Sequence, residues 1–231
     1  MMLPAVVIAA GVGSRLRPLT ERYAKPLLPV DGKPVLALLL RELAAAGCPH
    51  VTLVTGYLAE QVEGFAGDGT AFGVSLSTAR QASPRGSADA VVAAKAGPPY
   101  LVVGADTVFD RGEIERFAES FASSGAAGAL AVRRRDSHEA GRNGIGVDAG
   151  QVQRLHDPEG AFVGAPLWAV GEALATEVES LPGEAPYELA TAFQRAIDAG
   201  ERVAAIEIGP TRDLTAPGDL LLENFPYLSS L

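Results

Sequence analysis

The run Ala5-Val6-Val7-Ile8-Ala9-Ala10 is apolar without interruption and stops at Gly11. A short strand with no polar alternation is covered on both faces, which is the habit of parallel sheets sandwiched between helices. The loop that follows carries Gly11, Gly13, Arg15 and Arg17. A buried strand that empties into a glycine-rich basic loop restricts the chain to an α/β layout with its ligand site at the carboxyl ends of the strands.

The rest of the first half keeps this alternation. Strands are expected at His50–Thr55, Val74–Thr78 and Tyr100–Val103, and helices at Val35–Ala46, Ala59–Phe65, Ala88–Ala96 and Gly112–Ser123. In the first helix Leu36, Leu39, Leu40 and Leu43 share one side before Gly47 ends it. The second half reads differently. Ala127–Arg133, Gly144–Asp148, Val152–His156 and Phe162–Val170 are expected as strands, with a hairpin turn at Asp148-Ala149-Gly150. A helix at Pro186–Ala199, a strand at Arg202–Ile208 and a short helix from Pro217 close the chain. The pattern predicts an α/β fold with a Rossmann-like, mixed but mostly parallel sheet and helices on both faces. The 231 residues form one domain, with residues 1–125 as a nucleotide-binding half and 126–231 as an acceptor-binding half.

Charge and cysteine content narrow the function. A net charge of -9 offers no general basic surface to nucleic acid, so an anionic substrate needs a local cluster of Lys and Arg beside glycines. The single cysteine, Cys48, excludes a disulfide framework within the chain and reads as a small buried residue. The apolar N-terminus is too short to span a bilayer and lacks a basic leader, and no later run reaches about 18 apolar residues; a cytoplasmic protein without membrane partners is expected. The run Arg133-Arg134-Arg135, followed by Asp136, is expected to be an exposed turn.

Three loops at strand ends carry the chemistry. In the first, Gly11 and Gly13 let the backbone present N–H groups to an anion, and Arg15, Arg17 and Lys25 add charge. The string lacks both the third glycine of a dinucleotide fingerprint and the Gly-Lys-Ser/Thr of a P-loop. In the second, Gln81 to Asp89, Ser87 is an expected helix N-cap, and Gln81 has a donor and an acceptor to offer a base. In the third, Gly104-Ala105-Asp106 places a carboxylate directly after a buried strand.

The string Gly11-Val12-Gly13-Ser14-Arg15-Leu16-Arg17-Pro18-Leu19-Thr20, followed by Lys25-Pro26-Leu27-Leu28-Pro29-Val30 and Lys33-Pro34, resembles the sugar-1-phosphate nucleotidyltransferase family. The resemblance runs from about Pro4 to Phe225 and is strongest before Asp110. It implies a nucleotide-diphospho-sugar transferase fold. It also implies a Mg2+-dependent reaction of a nucleoside triphosphate, UTP or dTTP, with a phosphorylated acceptor, releasing pyrophosphate. Arg15 and Lys25 would be catalytic. Ala10, Gly11, Gly13, Ser14, Gln81, Gly86 and Ser87 would bind nucleotide. Asp106 and Asp213 would hold Mg2+, with Asp219 capping the last helix and Thr215 standing where the family has Gly.

For the acceptor, the resemblance implies Asn143, Gly146, His156, Asp157 and Glu188, with Thr191 a further candidate and Trp168 in the core. Here the chain departs from the family. His156-Asp157-Pro158 replaces Glu-Lys-Pro, and Val163-Gly164-Ala165-Pro166 lacks the family's Asn. A changed acceptor site is therefore expected, for an amino sugar acid 1-phosphate or for phosphocholine. Two alternatives are a non-catalytic sugar-nucleotide sensor, opposed by the presence of Arg15, Lys25, Asp106 and Asp213, and a molybdopterin-type guanylyltransferase, whose loop has Arg-Met where Arg15-Leu16 stands.

Overall fold

A computed structural model describes residues 2–135, 144–181 and 183–225. The first half contains β1 (Ala5–Ala9), a small hairpin of β2 (Pro29–Val30) and β3 (Lys33–Pro34), α1 (Val35–Ala45), β4 (Val51–Thr55), α2 (Ala59–Ala66), β5 (Leu76–Arg80), α3 (Ser87–Ala94), β6 (Tyr100–Gly104), β7 (Thr107–Val108) and α4 (Glu113–Ser124). The second contains β8 (Gly128–Arg134), β9 (Gly144–Asp148), β10 (Gln151–Asp157), β11 (Phe162–Val170), α5 (Glu172–Glu179), α6 (Leu189–Asp198), β12 (Val203–Glu207), β13 (Arg212–Asp213) and α7 (Pro217–Asn224).

Nine strands form one sheet in the order β5-β4-β1-β6-β11-β8-β12-β10-β9. The pairings β5–β4, β4–β1, β1–β6 and β8–β12 are parallel, while β10 and β11 run against their neighbours, so the other seven strands point the same way. Strand alternation then sorts the core. Val7 and Ala9 of β1 face the layer of α1, α2 and α4, and Val6 faces the layer of α3, α5 and α6. Both faces of β1 are covered, which is why its sequence is continuously apolar.

The helix ends follow their glycines. Gly47, with φ 75°, lets Cys48 N–H reach back to the Leu43 carbonyl at 3.0 Å, and Gly200 does the same for Glu201 and Ala196 at 2.9 Å. Cys48 is buried, and that burial pushes its thiol pKa up. Ala149 and Gly150, both at positive φ, make the two-residue turn between β9 and β10.

Several expectations need correction. The edge strand β5 begins at Leu76, not Val74, because its position is fixed by the ladder to β4 (Val51 opposite Leu76), while Val74 packs into the core below. The helix expected from Pro186 begins at Leu189, since Tyr187 is held in an extended segment by bonds to Arg85 and Ala88. Helix α5 went unexpected, although Leu174, Ala175 and Val178 have helical spacing; it is short and follows a strand with only Gly171 between. The Arg run is not a free turn: β8 continues through Arg134, whose guanidinium stacks over Phe162 at 5.3 Å and pairs with Glu207 at 3.2 Å. Among the described residues, no helix is long and apolar enough to cross a membrane.

Candidate active site at the strand ends

The first loop leaves β1 and folds into a tight turn at Ser14–Leu16. Gly13 sits at φ 65°, and a Cβ there would lie 2.9 Å from Thr20 Cγ2 and 3.2 Å from Lys25 Cβ. Only glycine fits both the backbone and the space. Thr20, itself buried, donates from its hydroxyl to the Gly13 carbonyl at 2.9 Å, which holds the loop against the segment bearing Lys25. From the other side Gln61 accepts from Ala24 N–H at 3.0 Å and donates to Arg22 C=O at 2.8 Å. The segment leading into Lys25 is thus clamped at Thr20, Arg22 and Ala24.

The Lys25 ammonium meets the Asp106 carboxylate at 2.5 Å. Asp106 is delivered by β6: Ala105 continues the strand edge, its N–H bonded to Ile8 C=O at 3.0 Å, so the additional Ala carries the carboxylate past the strand end. Two concavities meet at this pair. One, about 320 Å³, is lined by Gly13, Ser14, Arg15, Lys25, Asp106 and Thr215. The other, about 310 Å³, is lined by Gly11, Lys25, Ser87, Asp106, Pro166, Trp168 and Glu188 among others. The first is basic and polar and suits phosphates; the second leads away toward the second half of the sheet. Glycines, Arg15 and Lys25 in the first resemble a phosphate cradle with side-chain cations.

Asp213 arrives from the far end of the chain. The two-residue strand β13 pairs with β7, which places Asp213 opposite Thr107, the residue after Asp106. Thr107, fully buried, donates to Asp213 Oδ1 at 2.6 Å. The preceding residue, Arg212, is clamped by Asp31 at 2.6 Å and Glu223 at 3.1 Å, and the Arg212 guanidinium holds the Asp31 carboxyl below the usual carboxylate range. Asn224 completes the tie, donating to Pro29 C=O and accepting from Gly32 N–H, both at 2.8 Å. Asp219 accepts from the N–H groups of Thr215 and Ala216, each at 2.7 Å, and so caps α7. Thr215 is accommodated without positive φ. Among the described residues no three His, Cys, Asp or Glu side chains form a metal cage. Asp106 lines both concavities, whereas Asp213 lines neither and is tied to the site through Thr107; one or two protein carboxylates are what Mg2+ takes, completing its shell with phosphate and water.

The second loop departs from expectation in detail. The N-cap of α3 is Gly86, at φ 109°, and not Ser87, which is the first helical residue. The Ser87 hydroxyl works elsewhere: it donates to Glu188 Oε2 at 2.6 Å and accepts from Leu189 N–H at 2.8 Å. A Cβ on Gly86 would lie 2.2 Å from the Tyr187 carbonyl oxygen. Arg85 stacks over the Tyr187 ring at 5.0 Å. The loop is therefore stitched to the entrance of α6. Gln81 does not offer both donor and acceptor, since its amide nitrogen donates to Gly86 C=O at 3.0 Å and to the Asp89 carboxylate at 2.8 Å. Both partners only accept, so the amide orientation is fixed, and its carbonyl oxygen takes no hydrogen bond from the described residues.

The acceptor candidates divide. Glu188 lines the cleft beside Lys25 and Asp106, and His156 lines an adjoining chamber. Gly146 and Asp157 lie against each other in the β9–β10 hairpin, where Asp157 accepts from Glu159 N–H at 3.1 Å; they line neither cavity, nor does Thr191. Asn143 lies outside the described residues. Ala10 is buried at the strand end, its carbonyl accepting from Tyr57 N–H at 3.2 Å. Trp168, expected in the core, is half-buried and lines both cleft and chamber, its ring packed edge-on to Phe193 at 4.6 Å. Its signal was the adjoining Pro166, which a central strand tolerates only at a bulge.

Residues 4–157 match the family model described as nucleotidyl transferase. The chain belongs to the nucleotidyl transferase family. Over 233 residues it is 32% identical to glucose-1-phosphate thymidylyltransferase of Streptomyces griseus, an alignment that covers 96% of this chain and 65% of that relative's length. The chain thus spans less than two thirds of that protein. It is 36% identical over 114 residues to N-acetylmuramate alpha-1-phosphate uridylyltransferase of Neisseria meningitidis, covering 47% of this chain and 48% of that one. The fold is that of UDP-glucose pyrophosphorylase from Acinetobacter baumanii, with a TM-score of 0.80 at 19% identity over 98% of this chain and 93% of that chain. The family match ends within β10, at Asp157, so much of the chamber wall lies beyond it.

Proposed function

We propose that this family member joins UTP or dTTP to a sugar 1-phosphate or a closely related phosphorylated acceptor, with release of pyrophosphate. The observation that carries the reading is the Lys25–Asp106 pair at the meeting point of the phosphate cradle and the cleft. An acceptor phosphate oxygen attacks the α-phosphorus, a new oxygen–phosphorus bond forms, and the bond to the β-phosphate oxygen breaks, pyrophosphate leaving with the electron pair. No covalent nucleophile on the protein is needed; the chain's task is to neutralise charge and hold the groups in line.

Lys25 sits where acceptor phosphate and α-phosphate converge, and Arg15 in the cradle neutralises the departing pyrophosphate. Asp106 compensates the Lys25 charge, and a phosphate bound at Lys25 would share that role. Asp106 and Asp213 would hold Mg2+, which supplies further positive charge at the phosphates when bound. The Gln81 carbonyl, with its amide nitrogen committed elsewhere, accepts from a base N–H. Uracil and thymine meet it with N3–H; the amino N–H groups of cytosine and adenine and the N1–H of guanine are the competitors the assay separates.

The test is a matrix of UTP, dTTP, GTP, CTP and ATP against glucose 1-phosphate, other sugar 1-phosphates and phosphocholine, scored by Mg2+-dependent pyrophosphate release. Turnover with UTP or dTTP and a sugar 1-phosphate is expected. Nucleotide binding without release from any pair would replace the transferase with a sugar-nucleotide sensor.

A further inference from the structure

Beyond the cleft, on the far side of Trp168, lies a second chamber of about 290 Å³. It opens where two strands break register. In β11 the ladder to β8 jumps from Gly164 opposite Val132 to Trp168 opposite Leu130, so surplus residues around Pro166 bow out of the sheet. In β10 the ladder to β9 jumps between Leu155 and Asp157, and His156 between them takes φ 63°, a left-handed conformation rare outside glycine. Left-handed backbone at a non-glycine residue is sustained only where the surroundings enforce it, and such residues gather at ligand sites. The chamber shares Pro166, Trp168 and Ala190 with the cleft, so a ligand whose phosphate reaches Lys25 can extend into it.

The chemistry of the wall is one-sided. Leu130, Ile145, Leu155, Pro166 and Trp168 line it, and among the described residues the polar side chain on it, apart from the indole N–H, is His156 at the exposed rim. A hydroxyl-rich ring buried against such a wall would lose hydrogen bonds to water and regain few. An apolar substituent loses none and gains contact area. Among the described residues no carboxylate lines the chamber, and Trp168 is joined there by no Tyr or Phe, which disfavours a quaternary ammonium group.

We propose that this chamber selects the acceptor: it receives an uncharged apolar substituent, a methyl group standing where a plain hexose has a hydroxyl-bearing carbon, with Ile145, Leu155 and Trp168 as the specificity-determining residues. The inference rests on the transferase reading above and names the acceptor class that reading leaves open.

The experiment compares kcat/KM for glucose 1-phosphate, 6-deoxyglucose 1-phosphate and N-acetylglucosamine 1-phosphate with UTP or dTTP on the wild-type chain. 6-Deoxyglucose 1-phosphate is expected to exceed both of the others by about tenfold or more, the discrimination an apolar pocket of this kind supplies. N-acetylglucosamine 1-phosphate as the best acceptor overturns the assignment of the chamber to a methyl group. Glucose 1-phosphate used equally well or better overturns the chamber while leaving the transferase intact; no turnover with any acceptor overturns the transferase and the chamber with it. Ala190→Leu, which narrows the chamber from α6, is expected to reduce that preference to about threefold or less by excluding the substituent. A ratio unchanged by Ala190→Leu in a folded variant also overturns the proposal.

Discussion

The two halves of the sheet handle their ligands by different physical means. In the first half, parallel strands end in step, and their loops converge on one edge with Arg15, Lys25 and Asp106. In the second, antiparallel pairing with register breaks in β10 and β11 opens a chamber within the sheet's own face, walled by side chains that elsewhere would be core. The first solution is made of charge and backbone N–H groups, which suit a phosphate whatever is attached to it. The second is made of shape and apolar surface, which suits one substituent and penalises another.

The comparison can be broken most severely at the shared junction. Lys25→Ala removes a charge-assisted contact of about 1.5–3 kcal/mol, so kcat/KM is expected to fall by tens to a few hundred fold with every acceptor alike. A loss confined to one acceptor would mean that Lys25 belongs to the acceptor half alone. Next in size, Asp213→Asn is expected to raise the Mg2+ concentration needed for half-maximal activity by about tenfold or more. Direct Mg2+ titration monitored by thermal shift provides a readout independent of turnover. An unaltered Mg2+ requirement would remove Asp213 from the metal site.

Gln81→Leu probes the base without touching the acceptor. It deletes the carbonyl acceptor and frees Asp89, and it is expected to shrink the preference for UTP or dTTP over CTP by about tenfold while leaving the ranking of acceptors unchanged. Gly86→Ala tests the stitch between the halves. With φ at 109° and Tyr187 backbone in the way of any Cβ, it is expected to destabilise the fold by about 1–3 kcal/mol, seen as a melting temperature lower by several degrees. The smallest effect is expected at Asp157→Asn. The side chain serves the turn that leads from β10 to β11, so kcat/KM is expected to change by less than about twofold. A large loss there would move the acceptor site toward the hairpin and away from the Trp168 chamber.

What could be read in advance follows the same division. The continuous apolar run before Gly11, the basic loop and Lys25 are local features, and local chemistry dictates them: a strand covered on both faces must be apolar throughout, and an anion-binding turn needs glycine and cations close in sequence. The alternation of elements, the β9–β10 turn and the glycine-terminated helices were legible for that reason. The resemblance pointed to Asp213 as a companion of Asp106, but its pairing with Thr107 was not legible, because the two lie 106 positions apart and are joined by strands of two residues each. The orientation of Gln81 was decided by Asp89 and the Gly86 carbonyl, which no side-chain inventory could assign. Ser87 looked like a cap because its type favours caps, yet its hydroxyl is drawn off by Glu188 from the other half. Trp168 looked like core because composition cannot distinguish an apolar side chain that fills a sheet from one that walls a cavity. That distinction depends on register breaks at His156 and Pro166, and register is a property of strands paired across the whole chain, not of any segment alone.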